Sequence, residues 1–186
     1  MRHVPNAMTI AQTEGSPEVA APRSAWSEVL RQATLEVFSK MVGAAIVVPQ
    51  QADGATSGLD TADAIIEAQV TGIIGIAGAM RAVLSLRCSE NAAQTIASQM
   101  LGITGEEAAQ HKADAIGELC NMVAGHFKHQ VGLGGSCTLS VPTIVIGSRY
   151  DIHCLEDGER LEFPALYDGG TLLITLDIRG QRVGRI

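Results

Sequence analysis

Apolar residues recur at spacings of three and four in three stretches of the chain, and crowd or alternate in several others. Trp26, Val29, Leu30, Ala33, Val37 and Met41 predict a helix over residues 26–41, with Ser24 as its N-cap and Gly43 as its stop. The short run AAIVVP reads as a strand, and QQADGATSGLD after it as a polar loop with Gly and Asp suited to turns. Residues 63–76 and 79–87 read as a β-hairpin. The segment IIGIAGAMRAVLSLR is rich in branched apolar residues and carries a candidate turn at Gly78-Ala79. Ser89 then resembles an N-cap for a helix running to about Leu101 and stopped by Gly102, and a longer helix is expected over roughly residues 107–130. GLGG forms a turn, followed by the strand series SCTLSVPTIVIGS, RYDIHCL, RLEFPAL and TLLITLDI. This order predicts an α+β fold: a single, largely antiparallel sheet with two long helices packed on one face. Residues 1–23, rich in Pro, Ala, Ser, Thr and Gly, read as a mobile tail, leaving one domain over 24–186.

Composition narrows the function classes. The chain has 186 residues, 46% of them hydrophobic, enough for one domain with a sizeable core. A net charge of −7 and the lack of any Lys/Arg run argue against nucleic acid. Aromatic content of 3% removes the stacking platforms used on single strands. No apolar run is long enough to span a membrane, and Glu14 and Glu18 interrupt what would be the apolar centre of a secretory signal. The four cysteines, Cys88, Cys120, Cys137 and Cys154, form no CxxC pair. They are expected as isolated buried thiols in a reducing cytoplasm.

The long helix carries the candidate chemistry. At 100° per residue, Ile116, Leu119, Cys120, Val123 and Phe127 share one arc of about 100°, the width of a core-facing stripe. Asp114, Glu118, Asn121 and Gly125 gather on the opposite side within about 60°. Solvent faces of helices usually interleave cations and acids, yet neither four-residue neighbour of Glu118 is a cation. Gly125 is a second oddity. An interior glycine costs a helix about 1 kcal/mol relative to Ala, and one use for it is the close approach of another backbone. That backbone could belong to this chain or to a visitor.

DAIGELCNMVAG resembles the signature helix of the CheC/CheX/FliY family of chemotaxis phosphatases: an acid or serine, three residues, Glu, two residues, Asn, then a proline some twenty residues on. Here those positions are Asp114, Glu118 and Asn121, with Pro142 in LSVPTIVIG as the proline. ATLEVFSKMVG, TGIIGIAGAMRAVLSLR and ASQMLG also resemble family segments in order and spacing, so the likeness covers about residues 25–178. The resemblance implies a CheC-like fold and hydrolysis of the aspartyl-phosphate of a CheY-like response regulator. Asn121 would orient the attacking water and Glu118 would hold the receiver's lysine. Asp114 and Gly125 would meet the partner, and the Mg²⁺ would be the receiver's, with no cofactor belonging to this chain. A homodimer in the cytoplasm is the family expectation, and a non-catalytic receiver-binding adaptor is the alternative. Where some relatives carry a second Glu-x-x-Asn pair, this chain reads Glu36-Val37-Phe38-Ser39, so one working site per chain is expected. The interval from Asn121 to Pro142 is slightly shorter than the family's usual spacing. LEVFSKMVG and GELCNMVAG offer a faint sign of internal duplication.

Other chemistries fare worse. His126 and His129, three apart near a helix end, suggest a metal site with Glu118, but helix-dipole placement of imidazole explains them as well. GLGG lacks the spacing of a nucleotide loop, and no serine sits in a nucleophile-elbow context. Cys120 interrupts the motif but falls on the apolar arc, which favours packing over redox chemistry.

Overall fold

The computed structural model describes residues 21–48, 69–147, 150, 158–167 and 170–179. A short 3₁₀ turn, Arg23–Ala25, leads into α1, Trp26–Val37, which continues as a π-helical turn, Phe38–Val42. Strands β1, Val70–Gly78, and β2, Ala82–Cys88, form the expected hairpin. Two helices follow, α2, Glu90–Leu101, and α3, Gly105–Gln130. Then come β3, Cys137–Leu139, β4, Thr143–Ile146, β5, Gly158–Tyr167, and β6, Gly170–Arg179.

All strands pair antiparallel in one sheet, ordered β3-β1-β2-β6-β5, with β4 also on β1. Successive side chains alternate between faces. Val70, Ile74 and Ile76, with Leu84, Leu86 and Cys88 and with Leu172, Ile174 and Leu176 across the ladders, therefore form one continuous apolar floor. The helices lie on it. Ile116, Leu119, Cys120, Val123 and Phe127 of α3 are fully buried against this floor, and each such side chain contributes about 1.5–3 kcal/mol by leaving water. Gly72 makes the approach possible, because a Cβ there would stand 2.4 Å from Cys120 Sγ. Trp26 of α1 meets Phe127 of α3 edge to face at 5.9 Å.

Capping by local chemistry is seen at α2. Ser89 Oγ accepts from Ala92 N–H at 3.1 Å, and Gly102 closes α2 in the left-handed conformation. Ser24 does not cap α1. It lies inside the 3₁₀ turn, and the first α-helical turn is preceded by Ala25 instead. The apolar spacing of α1 also fails at its end: Met41 is 38% exposed, because the wider π turn rotates residues 38–42 off the helical phase. The AAIVVP segment forms no strand over residues 44–48. Among the described residues it pairs through a single bridge, from Val47 to Leu166 at the end of β5. The tail up to residue 20, the loop QQADGATSGLD and most of RYDIHCL lie outside the described residues.

One irregularity shapes the edge of the sheet nearest α3. Leu139 pairs with Ile76 in β3, and Thr143 pairs with Ile73 in β4. Residues 140–142 thus face only Ile74 and Gly75, one residue more than a regular ladder accommodates. This is a bulge, and the proline within it suits a position where no ladder N–H is needed. Ser140 pins its near side: Ser140 N–H donates to Gly75 O, and Gly75 N–H donates to Ser140 Oγ, both at 2.9 Å.

Candidate functional site

The long α3 helix begins at Gly105, two residues before the expected start, so Asp114 lies nine residues in. At that depth the helix dipole gives no reason for an acid, since the effect fades beyond the first turn. The Asp114 side chain is 85% exposed and approaches only His111, Nδ1 to Oδ2 at 3.6 Å. Glu118 is exposed, while Asn121 and Gly125 are half-buried. Among the described residues, none hydrogen-bonds or ion-pairs with the Glu118 or Asn121 side chain. The helical phase that buries Ile116 through Phe127 thus leaves a carboxylate and a carboxamide one turn apart with their polar atoms uncommitted. Glu107, also exposed, continues the same stripe toward the helix start; it was not singled out from the sequence.

The bulged edge borders the stripe. Gly117 is buried, and a Cβ built on it would meet Pro142 Cβ and Ile144 Cδ1 at 3.6 Å. Pro142 therefore rests on the turn of α3 that carries Glu118 and Asn121, although it is twenty-one residues beyond Asn121 in the chain. Farther along, a Cβ at Gly125 would meet nothing nearer than Leu139 Cδ1 at 4.0 Å. No described backbone makes use of the missing side chain. Lys128 Nζ donates to Cys137 O at 2.8 Å and anchors the end of α3 to β3.

The first-half counterpart is built differently. Glu36 Oε2 accepts from Lys40 Nζ at 3.2 Å and meets His126 Nε2 of α3 at 3.0 Å. The Lys40 and His126 contacts hold the Glu36 carboxyl below its ordinary value. Ser39 lies in the π turn. His126 is thus engaged with α1, and among the described residues no three His, Cys, Asp or Glu side chains converge as metal ligands. Cys88, Cys120 and Cys137 are free and buried, and burial pushes the Cys88 and Cys120 thiols up to about 12. Cys120 packs against Gly72 rather than facing the stripe. Cys154 lies outside the described residues. No helix among the described residues is long and apolar enough to cross a membrane.

A single antiparallel sheet with helices packed on it is the architecture of the CheC-like chemotaxis proteins. Within that class the chain belongs to the CheX family: the profile described as chemotaxis phosphatase CheX matches residues 70–166, more than half of its length. Solved structures agree on the fold. The chain is similar to a CheC-like superfamily protein from Shewanella sp. PV-4, with 24% identity and a TM-score of 0.67 over 86% of this chain and 100% of that one. It is similar to the chemotaxis protein CheX of Vibrio vulnificus, with 22% identity and a TM-score of 0.67 over 83% and 99%. A third is the CheX of Borrelia burgdorferi in complex with CheY, BeF₃ and Mg²⁺, with 20% identity and a TM-score of 0.64 over 83% and 98%. A search among curated protein sequences gave no match.

Proposed function

We propose that this chain hydrolyses the aspartyl-phosphate of a CheY-like receiver domain, using Glu118 and Asn121 as the pair that enters the receiver's active site. The observation that carries the reading is the placement of those two side chains one turn apart on α3, Glu118 exposed and Asn121 half-buried, unengaged by any described residue. Family membership and the Borrelia CheX–CheY complex support a receiver as the substrate.

The chemistry divides sensibly between the two proteins. The receiver contributes the acyl phosphate, its Mg²⁺ and a lysine. This chain contributes position. The Asn121 amide can accept a hydrogen bond from water through its oxygen and donate to a phosphoryl oxygen through its nitrogen, adding no negative charge. Water so held attacks phosphorus in line, the P–O bond to the aspartate breaks, and the electron pair leaves with the carboxylate. The water proton passes to phosphate or solvent. A carboxylate against the phosphoryl group would repel it, so Glu118 serves better as the anchor on the lysine. Phosphoryl transfer depends mainly on positioning and charge compensation, so two side chains suffice where the substrate brings the cations. Asp114 meets the receiver at the rim, and Gly125 lets its backbone come close. A homodimer with one such site per chain completes the proposal.

The test charges a CheY-like receiver with acetyl phosphate and Mg²⁺ and follows loss of phospho-aspartate. Wild type should exceed the receiver's own decay, and Asn121→Ala should lower turnover about a hundredfold or more, the scale for removing one polar group aimed at a transition state. Turnover that survives Asn121→Ala rejects the assignment. Tight binding without turnover identifies an adaptor instead.

A further inference from the structure

Val141 is 85% exposed, more than any other large hydrophobic residue among those described. A lone surface valine is ordinary, but this one sits on the bulge between β3 and β4. Three residues there stand opposite two, and a bulge of this kind re-aims side chains. The local structure holds it firmly. Ser140 is tied to Gly75 by two hydrogen bonds and donates through Oγ to the Val141 carbonyl at 3.0 Å. On its other side Pro142, with its backbone torsion fixed by the ring, rests on Gly117 of α3. One residue, about 3.8 Å of chain, separates Val141 from that contact. A rigid apolar knob therefore stands at the margin of an acidic stripe made by Glu107, Asp114 and Glu118.

We propose that Val141 is a docking residue, the apolar contact by which the chain holds a receiver domain while Glu118 and Asn121 occupy its active site. The proposal rests on the receiver-phosphatase reading above. Charge complementarity supports the same occupant: the stripe beside Val141 is acidic, and the receiver brings a lysine and Mg²⁺ to it. An apolar contact at the margin of this charged pair excludes water from it. Because the knob is held before binding, little freedom is lost when it is covered. Val141 touches the partner and not the reacting atoms, so it contributes equally to ground state and transition state.

That equality sets the readout, since loss of uniform binding raises KM and spares kcat. With an acetyl-phosphate-charged CheY-like receiver, Val141→Ser should raise KM about tenfold, the effect of exposing one buried valine at an interface, with kcat changed by less than about twofold. Val141→Ile, which keeps the apolar surface, should hold KM within about twofold of wild type. Circular dichroism of both variants should superimpose on wild type. If Val141→Ser leaves KM unchanged while Asn121→Ala abolishes turnover in the same preparation, the docking role is overturned and the phosphatase reading stands. If wild type neither binds the receiver nor dephosphorylates it, both are overturned together.

Discussion

Single atoms decide how closely α3 can lie on the sheet. Gly72 admits Cys120 by having no side chain, and a methyl there would stand 2.4 Å from the sulfur and 3.0 Å from Ile116 Cγ2. Gly72→Ala should destabilise the fold by about 1–3 kcal/mol in urea denaturation. Adding Cys120→Ala should recover part of that loss, because the two changes act on one contact. Gly125 is the opposite case. Its missing Cβ would find only Leu139 at 4.0 Å, so Gly125→Ala should raise stability by up to about 1 kcal/mol through helix propensity. If a receiver uses that gap, the same variant raises KM, and the two measurements together separate an internal glycine from a docking one. Cys88 and Cys120, buried with their thiols pushed up to about 12, should resist alkylation at pH 7 until the protein unfolds. The outward stripe of Asp114, Glu118 and Asn121 was legible because a 3.6-residue period assigns faces from sequence alone. The role of Gly72 was not, since no local pattern says which strand residue a helix will cross.

Among the elements, α2 follows from its capping residues, and α3 and the β1–β2 hairpin from apolar spacing. The elements that escaped sequence reading share one cause: their geometry depends on residues distant in the chain. SCTLSVPTIVIGS reads as one strand, yet it is two short ladders separated by an extra residue, and only the register against β1 shows it. The helix over residues 26–41 reads as regular, yet it widens into a π turn at Phe38–Val42, just after Glu36, which meets His126 ninety residues away. AAIVVP has strand composition, yet among the described residues only Val47 finds a strand to bridge to. The Glu36 tie between α1 and α3 carries a pH signature. Its folded carboxyl is held below the ordinary value of 4.5, so the tie stabilises the fold above that pH. The contribution is lost as pH falls through the lowered value. Glu36→Gln should therefore flatten the acid limb of a stability-against-pH profile measured by denaturation, lowering stability slightly at neutral pH and leaving it unchanged at the acid end.

At the scale of the whole molecule, one side of the sheet carries the helices and the stripe, while the first-half pair is closed by Glu36, Lys40 and His126. A single receiver per chain should follow. Titration calorimetry with a beryllofluoride-loaded receiver should give one site per protomer, and sedimentation of the free protein should give a dimer. The stripe supplies acids and an amide but no cation of its own. A bare phosphate ester approaching Glu107, Asp114 and Glu118 meets repulsion, whereas a phosphoryl group already neutralised by Mg²⁺ and lysine does not. The protein should accordingly show no measurable hydrolysis of para-nitrophenyl phosphate under conditions where it discharges a receiver.

The two ladders that share the edge of β1 have a consequence for how such a protein can diversify. Each is stitched to β1 independently, so the arc joining them can gain or lose a residue without unravelling either. Altering its length would lift, lower or swivel the rim while the carboxylate and the amide on the helix stay where they are. New signalling partners could then be fitted by adjusting one corner, with the chemistry left intact.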